Sequence, residues 1–348
     1  MTQTGDPFSS PAALHQAFGA GLARLVNTEP GLGPFILALN NAVFDPVLHQ
    51  SAGSDLERRF AELSAACRSA LREGRDPDEP ADDLAVFLRL MAIGWPDLPR
   101  VRRRRVGPWE VQFNPLRGLR PARAAGGQPQ GNRAPFDPKG FHFNKPFLRR
   151  ETFWAGSLAG VEVDLLYNKF PFVDLHGLLV PRRLENAPQY LQRHHHEAAW
   201  AMTLALGETL PGVGLGYNSY GAFASVNHLH FQFFQRAEPL PLADPGWVHN
   251  GGALTYPLPC TAWDTAGQAW ETIARLHQRG QSYNLVYAPG RVYVLPRRRQ
   301  GSYAVPVWCG GQAWYELAGG VVALDAESYE CLTAQDIAQA IGAAAPDA

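Results

Sequence analysis

One stretch of the chain alternates strictly between polar and apolar side chains. In SVNHLHFQFF, residues 225–234, the polar residues His228, His230 and Gln232 occupy every second position, and apolar residues lie between them. Successive side chains of a β-strand point to opposite faces of the sheet. The pattern therefore predicts a strand over residues 225–234. One face would join the core, and the other would carry two imidazoles and an amide.

The periodicity changes along the chain. Across residues 1–100 apolar side chains recur at steps of three and four, as in AALHQAFGAGLARL and DLERRFAELSAACRSALREG, which is typical of amphipathic helices. After residue 150 two β-rich segments, VEVDLLYNKF and GLLVPRR, precede a helical segment, QYLQRHHHEAAWAMTLALGE, and a Gly/Asn/Ser-rich loop. This order predicts an α+β fold, in which helices pack on an antiparallel sheet and a helical region precedes it.

Two segments of the chain resemble each other. VDLLYNKFPFVDLHGLLVPRR in the first half and YNLVYAPGRVYVLPRR at residues 283–298 both read as an apolar strand, a turn and a second apolar strand ending in Pro-Arg-Arg. The second copy is followed by no His-x-His strand. Two interpretations remain open: two ordinary hairpins, or a duplicated fold that kept its chemistry in one copy.

Composition narrows the classes of partner. With 31 basic and 32 acidic side chains and a net charge of −1, the chain has no excess of charge for binding nucleic acid. No apolar run approaches the ~18 residues that span a membrane, so we expect a soluble, cytoplasmic protein. The cysteines form no CxxC pair, which argues against a thiolate zinc site and a disulfide framework. They are Cys67, Cys260, Cys309 and Cys331.

The polar face of the predicted strand indicates a ligand-binding site. Three buried polar side chains without partners would each cost ~1–3 kcal/mol. A metal is one candidate, but His228 and His230 provide only two donors, and an amide is a poor third ligand for zinc. The preceding loop offers hydroxyl, amide and backbone N–H groups, which suit a phosphate. We therefore expect a phosphate-bearing ligand, with no metal and no cofactor.

These residues resemble a known family. GLGYNSYGAFASVNHLHFQ resembles the active-site segment of the GDP-L-galactose and GDP-D-glucose phosphorylases, in the nucleotidyltransferase branch of the histidine-triad (HIT) superfamily. Four further segments resemble family motifs in the same order: VQFNPLR, PFDPKGFHFNK, NKFPFVDLHGLLVPR and WYELAGGVVALDAESYE. This chain has Leu175 where the family usually has Gly, and His142 where it usually has Asn.

The resemblance implies an architecture. A helical N-terminal region would occupy residues 1–100, a HIT-like catalytic half residues 101–240, and a HIT-like half without the catalytic motif residues 241–348. The fold would then be a HIT-like antiparallel sheet built from a duplicated unit whose second copy is degenerate.

The resemblance also implies a mechanism. His230 would attack the α-phosphorus of a GDP-hexose, and inorganic phosphate would then convert the guanylyl-histidine to GDP after hexose 1-phosphate has left. The other ring nitrogen must donate to an acceptor, here a backbone carbonyl near His228, so that the attacking nitrogen keeps its lone pair. Gln232 stands where hydrolases of the superfamily have a third His. Its amide can donate hydrogen bonds but supplies no proton.

The same resemblance assigns the substrate contacts. The implied residues are Ser225, Asn218 and Ser219 for phosphate, Asn168 for the ribose, and Lys145 and Arg117 for phosphate charge. The partners are a nucleoside diphosphate sugar and inorganic phosphate, with no nucleic acid and no membrane, and a homodimer is left open. Two alternatives remain: a phosphorylase acting on a dinucleoside polyphosphate or another nucleoside diphosphate sugar, and a non-catalytic nucleotide-binding sensor.

Overall fold

The computed structural model describes residues 6–120 and 131–347. The helices are α1 Pro11–Thr28, α2 Leu32–Phe44, α3 Pro46–Arg72, α4 Ala81–Ile93, α5 Pro115–Gly118, α6 Arg193–Gly207, α7 Ala266–Gln278, α8 Trp314–Leu317, α9 Ala326–Cys331 and α10 Ala334–Ala343. The strands are β1 Arg102–Val106, β2 Trp109–Phe113, β3 Thr152–Leu158, β4 Val161–Tyr167, β5 Gly177–Pro181, β6 Val213–Asn218, β7 Phe231–Gln235, β8 Thr261–Trp263, β9 Ser282–Ala288, β10 Arg291–Arg297 and β11 Gly320–Ala323.

The first four helices confirm the predicted helical N-terminal region. Helix α1 begins where Ser10 Oγ accepts a hydrogen bond from the N–H of Ala13 at 3.1 Å, with Pro11 at its first position. Its apolar residues point to one side, and Phe18 packs edge-to-face on Tyr167 of β4 with ring centres 4.6 Å apart. Helix α2 is buried along its whole length, because other parts of the chain surround it. None of the helices in the described ranges has the length and apolar character needed to cross a bilayer.

An eight-stranded sheet forms the centre of the molecule. Its order is β3-β4-β5-β7-β6-β9-β10-β8, and every neighbouring pair is antiparallel. The predicted α+β class with an antiparallel sheet and packed helices is therefore confirmed. A separate three-stranded sheet, β1-β2-β11, contains one parallel pair, between β2 and β11.

The two faces of the large sheet are covered differently. On one face, side chains such as Leu215, Phe231 and Leu285 form a single core with the helices. On the other face there are two separate cores. One surrounds Trp314 and includes the three-stranded sheet, and the other surrounds Phe143 over β4 and β5. His228 and His230 contact Phe143 of one of these cores, and Gln232 contacts Trp314 of the other.

The sheet contains a repeated strand–helix–hairpin unit. β5, α6, β6 and β7 have the sheet order β5-β7-β6, and β8, α7, β9 and β10 have the order β8-β10-β9. The two units meet at the β6–β9 pair. The two similar segments of the sequence correspond to β4–β5 and β9–β10. In the sheet, however, β9–β10 occupies the place that β6–β7 has in the first unit. Residues 219–230 join β6 to β7, but only Pro289 and Gly290 join β9 to β10, so the second unit lacks the segment that carries the motif.

The strand predicted over residues 225–234 is shorter than expected. β7 begins at Phe231, and its pairing with β5 ends at Leu179, so His228 and His230 precede the strand. The reason is that other groups bind the backbone there: the N–H of Leu229, for example, donates to the Ala187 carbonyl at 2.8 Å.

The predicted boundaries at residues 100 and 240 lie just before β1 and between β7 and β8. The division of the chain into units at these boundaries stays a prediction.

A buried ion pair connects the two sheets. Arg236 Nη2, just after β7, lies 2.5 Å from Glu110 Oε2 on β2, and the Tyr315 hydroxyl donates to Glu110 Oε1 at 2.7 Å. Burial alone would raise the pKa of Glu110, but Arg236 and the Tyr315 hydroxyl outweigh it and hold that pKa below its usual value. This stabilisation is present above the ordinary pKa of 4.5 and is lost as the pH falls through the lower folded-state pKa.

We expect Arg236→Met to lower the free energy of unfolding by about 3–5 kcal/mol at pH 7, because it leaves a buried carboxylate without its counter-charge. Glu110→Gln combined with Arg236→Met should recover part of this loss, since no buried charge remains and the Gln oxygen still accepts from Tyr315. Urea unfolding measures both variants. A double variant no more stable than Arg236→Met would contradict the explanation.

Candidate active site

The imidazole of His230 is oriented by its own main chain. Its Nδ1 lies 2.8 Å from the carbonyl oxygen of His228, and the side chain is 5% exposed. A carbonyl only accepts, so Nδ1 carries the hydrogen and Nε2 has a free lone pair. The acceptor that the resemblance implied near His228 is thus the His228 carbonyl itself.

Burial keeps both histidines of the motif neutral. It lowers the pKa of His230 to about 4, against a hydrogen bond with the His228 backbone that acts in the opposite direction. Burial, followed by the proximity of His230, lowers the pKa of His228 to about 4 as well. At pH 7 the Nε2 of His230 is therefore available as a nucleophile.

His228 interacts with the segment that covers it. Its Nδ1 accepts a hydrogen bond from the N–H of Phe143 at 3.1 Å, and its side chain is almost fully buried. The Phe143 ring also lies 5.0 Å from the ring of His230, centre to centre. The side chain of His228 thus attaches the segment around Phe143 to the site, while its carbonyl orients His230.

Gln189 holds the backbone of His230, a role that sequence reasoning missed. Its Oε1 accepts from the His230 N–H at 2.9 Å, and its Nε2 donates to the carbonyls of Asn218 at 2.9 Å and His230 at 3.2 Å. The sequence assigned Gln189 to the start of a helix, but α6 begins at Arg193. No local pattern marks this residue, because its partners are 29 and 41 positions away.

The amide of Gln232 faces two other side chains. Its Oε1 accepts from the indole Nε1 of Trp314 at 2.9 Å and lies 3.1 Å from His176 Nε2. His176 is completely buried, and burial, followed by the charge of Arg117, lowers its pKa to about 3. His176 therefore contacts Gln232 from within the buried turn before β5.

The three loop residues predicted to bind phosphate differ in position. Asn218 Oδ1 accepts from Asn284 Nδ2 at 2.7 Å and from the N–H of Trp314 at 2.9 Å. Ser219 Oγ accepts from the N–H of Tyr283 at 2.9 Å, so both buried side chains connect the loop to the second half of the sheet. Ser225 is exposed. Phosphate binding by these residues stays a prediction, and Ser225 has the most accessible hydroxyl of the three.

Side-chain N–H groups bind five consecutive carbonyls in the connection between β4 and β5. Two donors come from α2 and three from the motif VQFNPLR. The pairs are Asn41 to Asn168 at 2.9 Å, Asn40 to Lys169 at 2.8 Å, Arg117 to Phe170 at 2.6 Å, Asn114 to Pro171 at 2.9 Å and Gln112 to Phe172 at 3.1 Å. The spacing of Gln, Asn and Arg in the motif is therefore the spacing of three donors along one backbone.

This arrangement qualifies the roles predicted for Arg117 and Asn168. Arg117 donates to a carbonyl and lies 4.5 Å above the Phe172 ring, so its charge is close to the site while one of its nitrogens is engaged. Asn168 Oδ1 accepts from the N–H of Phe170 at 2.9 Å. Lys145 is half-buried before the turn Pro146–Arg149. Contacts of these residues with substrate stay predictions.

Leu175 shows why a glycine suits this position. Its φ is +46°, in the left-handed region that side chains with a Cβ disfavour, and the next residue is His176. Leu175 is buried in the core under the helices, so packing holds it in this conformation.

Among the described residues, no cluster of three His, Cys, Asp or Glu side chains has the arrangement of a metal site.

Comparison with known proteins confirms the HIT-like fold. The structure superimposes on a crystal structure of yeast Ap4A phosphorylase Apa2 with a TM-score of 0.50, covering 76% of this chain and 94% of that one. The sequence identity is only 17%, so this likeness concerns the fold alone.

The sequence comparisons are more specific. Residues 110–234 match the family described as GDPGP1-like, N-terminal domain. The chain is 46% identical over 67 residues to GDP-L-galactose phosphorylase 1 of Arabidopsis thaliana, and 36% identical over 118 residues to GDP-D-glucose phosphorylase 1 of Homo sapiens. These stretches cover 19% and 32% of this chain, and 15% and 30% of the relatives. The resemblance to the GDP-hexose phosphorylases is thus confirmed over the segment that contains the site.

We expect the ring of His230 to titrate with a midpoint near 4, because burial disfavours its charged form. NMR of the Cε1–H signal, assigned by its loss in His230→Ala, would measure this midpoint. The peptide SVNHLHFQ is the control and should titrate near the ordinary value of about 6.5. A midpoint above about 6 in the folded protein would contradict the burial of this imidazole.

We expect Asn41→Ala to lower the free energy of unfolding by about 1–3 kcal/mol, because the half-buried Asn168 carbonyl loses its donor. Asn27→Ala on α1 is a matched control. Like Asn41, which donates to the Leu37 carbonyl, Asn27 donates to the carbonyl four residues earlier, that of Ala23 at 3.0 Å. This hydrogen bond and the one that Asn27 donates to Asp55 are both exposed. That change should stay within about 0.5 kcal/mol. Equal losses in urea unfolding would mean that the contact with the β4–β5 connection contributes nothing.

Proposed function

We propose that the chain is a nucleotidyltransferase that converts a GDP-hexose and inorganic phosphate to hexose 1-phosphate and GDP. The observation that carries the proposal is the buried His230, whose Nδ1 donates to the His228 carbonyl while Nε2 stays unprotonated. The names of the relatives, GDP-L-galactose and GDP-D-glucose phosphorylases, support the choice of substrate.

The first step forms a covalent intermediate. Nε2 of His230 attacks the α-phosphorus, and the bond to the bridging oxygen breaks, so that hexose 1-phosphate leaves with the electron pair. The imidazole becomes cationic, and the hydrogen bond from Nδ1–H to the His228 carbonyl stabilises this charge. A phosphate is a good leaving group, so this step needs no general acid.

The second step regenerates the enzyme. An oxygen of inorganic phosphate attacks the same phosphorus, the P–N bond breaks, and GDP forms while the electron pair returns to Nε2. Gln232 has no proton to transfer, but its amide N–H groups can stabilise the negative charge that develops on the non-bridging oxygens. Transfer between phosphates therefore suits this site better than hydrolysis.

A second candidate is phosphorolysis of a dinucleoside polyphosphate by the same two steps. The observation in its favour is the likeness in fold to yeast Ap4A phosphorylase, which extends over 76% of the chain. The GDP-hexose assignment is preferred, because the relatives similar in sequence around the site carry that name.

The experiment is a substrate panel with and without inorganic phosphate. We expect GDP and hexose 1-phosphate to form from GDP-hexose only with phosphate, at a rate far above the release of GMP in water. GDP-hexose radiolabelled in its guanylyl part should, without phosphate, label the wild-type protein through an acid-labile bond. His230→Ala should abolish the label and lower kcat by roughly 10³-fold or more.

The matched control is His249→Ala, which removes a half-buried imidazole that contacts Tyr256 and Tyr293. It should keep both label and turnover. Rapid release of GMP without phosphate would move the protein to the hydrolases. Turnover of only the dinucleoside polyphosphates would favour the second candidate, and binding without turnover would favour a sensor.

A further inference from the structure

Trp314 contacts the motif from a distant part of the chain. It is the first residue of α8 and lies outside residues 110–234, the segment that matches the GDP-hexose phosphorylase family. Its indole is fully buried, with Nε1 2.9 Å from Gln232 Oε1. We propose that Trp314 is a positioning residue that determines which way the amide of Gln232 faces.

The chemistry of the indole determines this orientation. The two ends of a Gln amide are similar in size, but one accepts hydrogen bonds and the other donates them. The indole N–H can only donate, so the amide atom in contact with it must be the oxygen. The NH₂ group of Gln232 is then directed away from Trp314.

His176 acts in the same direction. Its Nδ1 is 3.3 Å from the N–H of Phe172 and accepts from it, so Nε2 carries the hydrogen and donates to Gln232 Oε1 at 3.1 Å. Asn168 Nδ2 approaches the same Nε2 at 3.2 Å, but in this tautomer both atoms are donors, so that contact is not a hydrogen bond. Two donors thus converge on one amide oxygen.

Trp314 is itself held in place by three contacts. Its ring stacks on Phe234 with ring centres 5.1 Å apart and an angle of 13°, and its backbone N–H donates to Asn218 Oδ1 at 2.9 Å. On β6, Gly216 leaves room for the indole, because a Cβ there would come within 2.3 Å of its Cε2. The donor is therefore rigid, as a positioning group must be.

The consequence concerns the charge on the substrate, and this step rests on the proposed function. An amide with its NH₂ group towards a phosphate donates to the non-bridging oxygens, whereas a reversed amide would present an oxygen and repel them. Without Trp314 Nε1–H only the donor from His176 still favours this orientation, so the reversed amide becomes more populated and part of the stabilisation that Gln232 gives the transition state is lost.

The kinetic test compares two indoles. Trp314→Phe keeps an aromatic ring on Phe234 but removes the donor, and we expect kcat to fall about tenfold with KM nearly unchanged. In a Gln232→Ala background the same change should have no further effect. The control is Trp109→Phe, whose buried indole donates to the Ala334 carbonyl at 3.1 Å and should leave kcat unchanged.

Equal losses of kcat in Trp314→Phe and Trp109→Phe would reduce Trp314 to a structural residue. An undiminished effect of Trp314→Phe in the Gln232→Ala background would also overturn the inference, because Trp314 would then act independently of Gln232.

A measurement without substrate separates this inference from the proposed function. The indole N–H signal of Trp314 in NMR spectra is assigned by its loss in Trp314→Phe. In Gln232→Ala this signal should move upfield and exchange faster with solvent, since its acceptor is gone. An unchanged signal would overturn the inference whatever the enzyme does. If the signal changes but the wild type does not turn over GDP-hexose, the proposed function fails and the contact stands.

Discussion

The hydrogen bond between His230 Nδ1 and the carbonyl of His228, two residues earlier, is the interaction on which the site depends. It lies in residues 228–230, which have no neighbouring strand, since strand pairing ends at Phe231. Gln189 replaces the missing partner by binding the N–H and the carbonyl of His230. The imidazole of His230 is thus oriented by backbone groups, which cannot rotate away as a side-chain acceptor could, and burial disfavours a proton on its Nε2.

The backbone of the β4–β5 connection is held in a comparable way. The five carbonyls from Asn168 to Phe172 point towards donors from α2 and from the segment after β2, where no strand or helix could satisfy them. Unpaired, each would cost ~1–3 kcal/mol. The helical N-terminal region therefore takes part in building the site, because α2 supplies two of the five donors. The left-handed conformation of Leu175 fits the same picture, since the surrounding packing determines the path of the chain before His176.

Sequence patterns predicted those features of the structure that depend on residues close together in the chain. The alternation around His230 correctly separated residues of the helix-covered core from those facing the site, and the three- and four-residue steps correctly indicated the N-terminal helices. The extent of β7 was wrong, because alternation describes an extended chain and does not show whether a neighbour pairs with it. Gln189 and Trp314 were missed because their partners in the site are 41 and 82 positions away. The similarity between the two segments pointed to β4–β5 as the counterpart of β9–β10, whereas the topology shows that it is β6–β7. Apolar strands ending in Pro-Arg-Arg look alike whatever their place in the sheet.

The topology also shows how the second unit, which lacks the motif, contributes contacts to the site. Pro289 and Gly290 close the β9–β10 hairpin directly, which leaves no loop for chemistry in the second unit. Yet β9 pairs with β6, and Tyr283 and Asn284 bind the side chains of Ser219 and Asn218 at the point where the motif loop begins. Asn218 in turn binds the N–H of Trp314, whose indole reaches Gln232. A continuous set of hydrogen bonds thus runs from the second unit to the amide of Gln232, two residues after His230, and a site built from residues 101–240 alone would lack it.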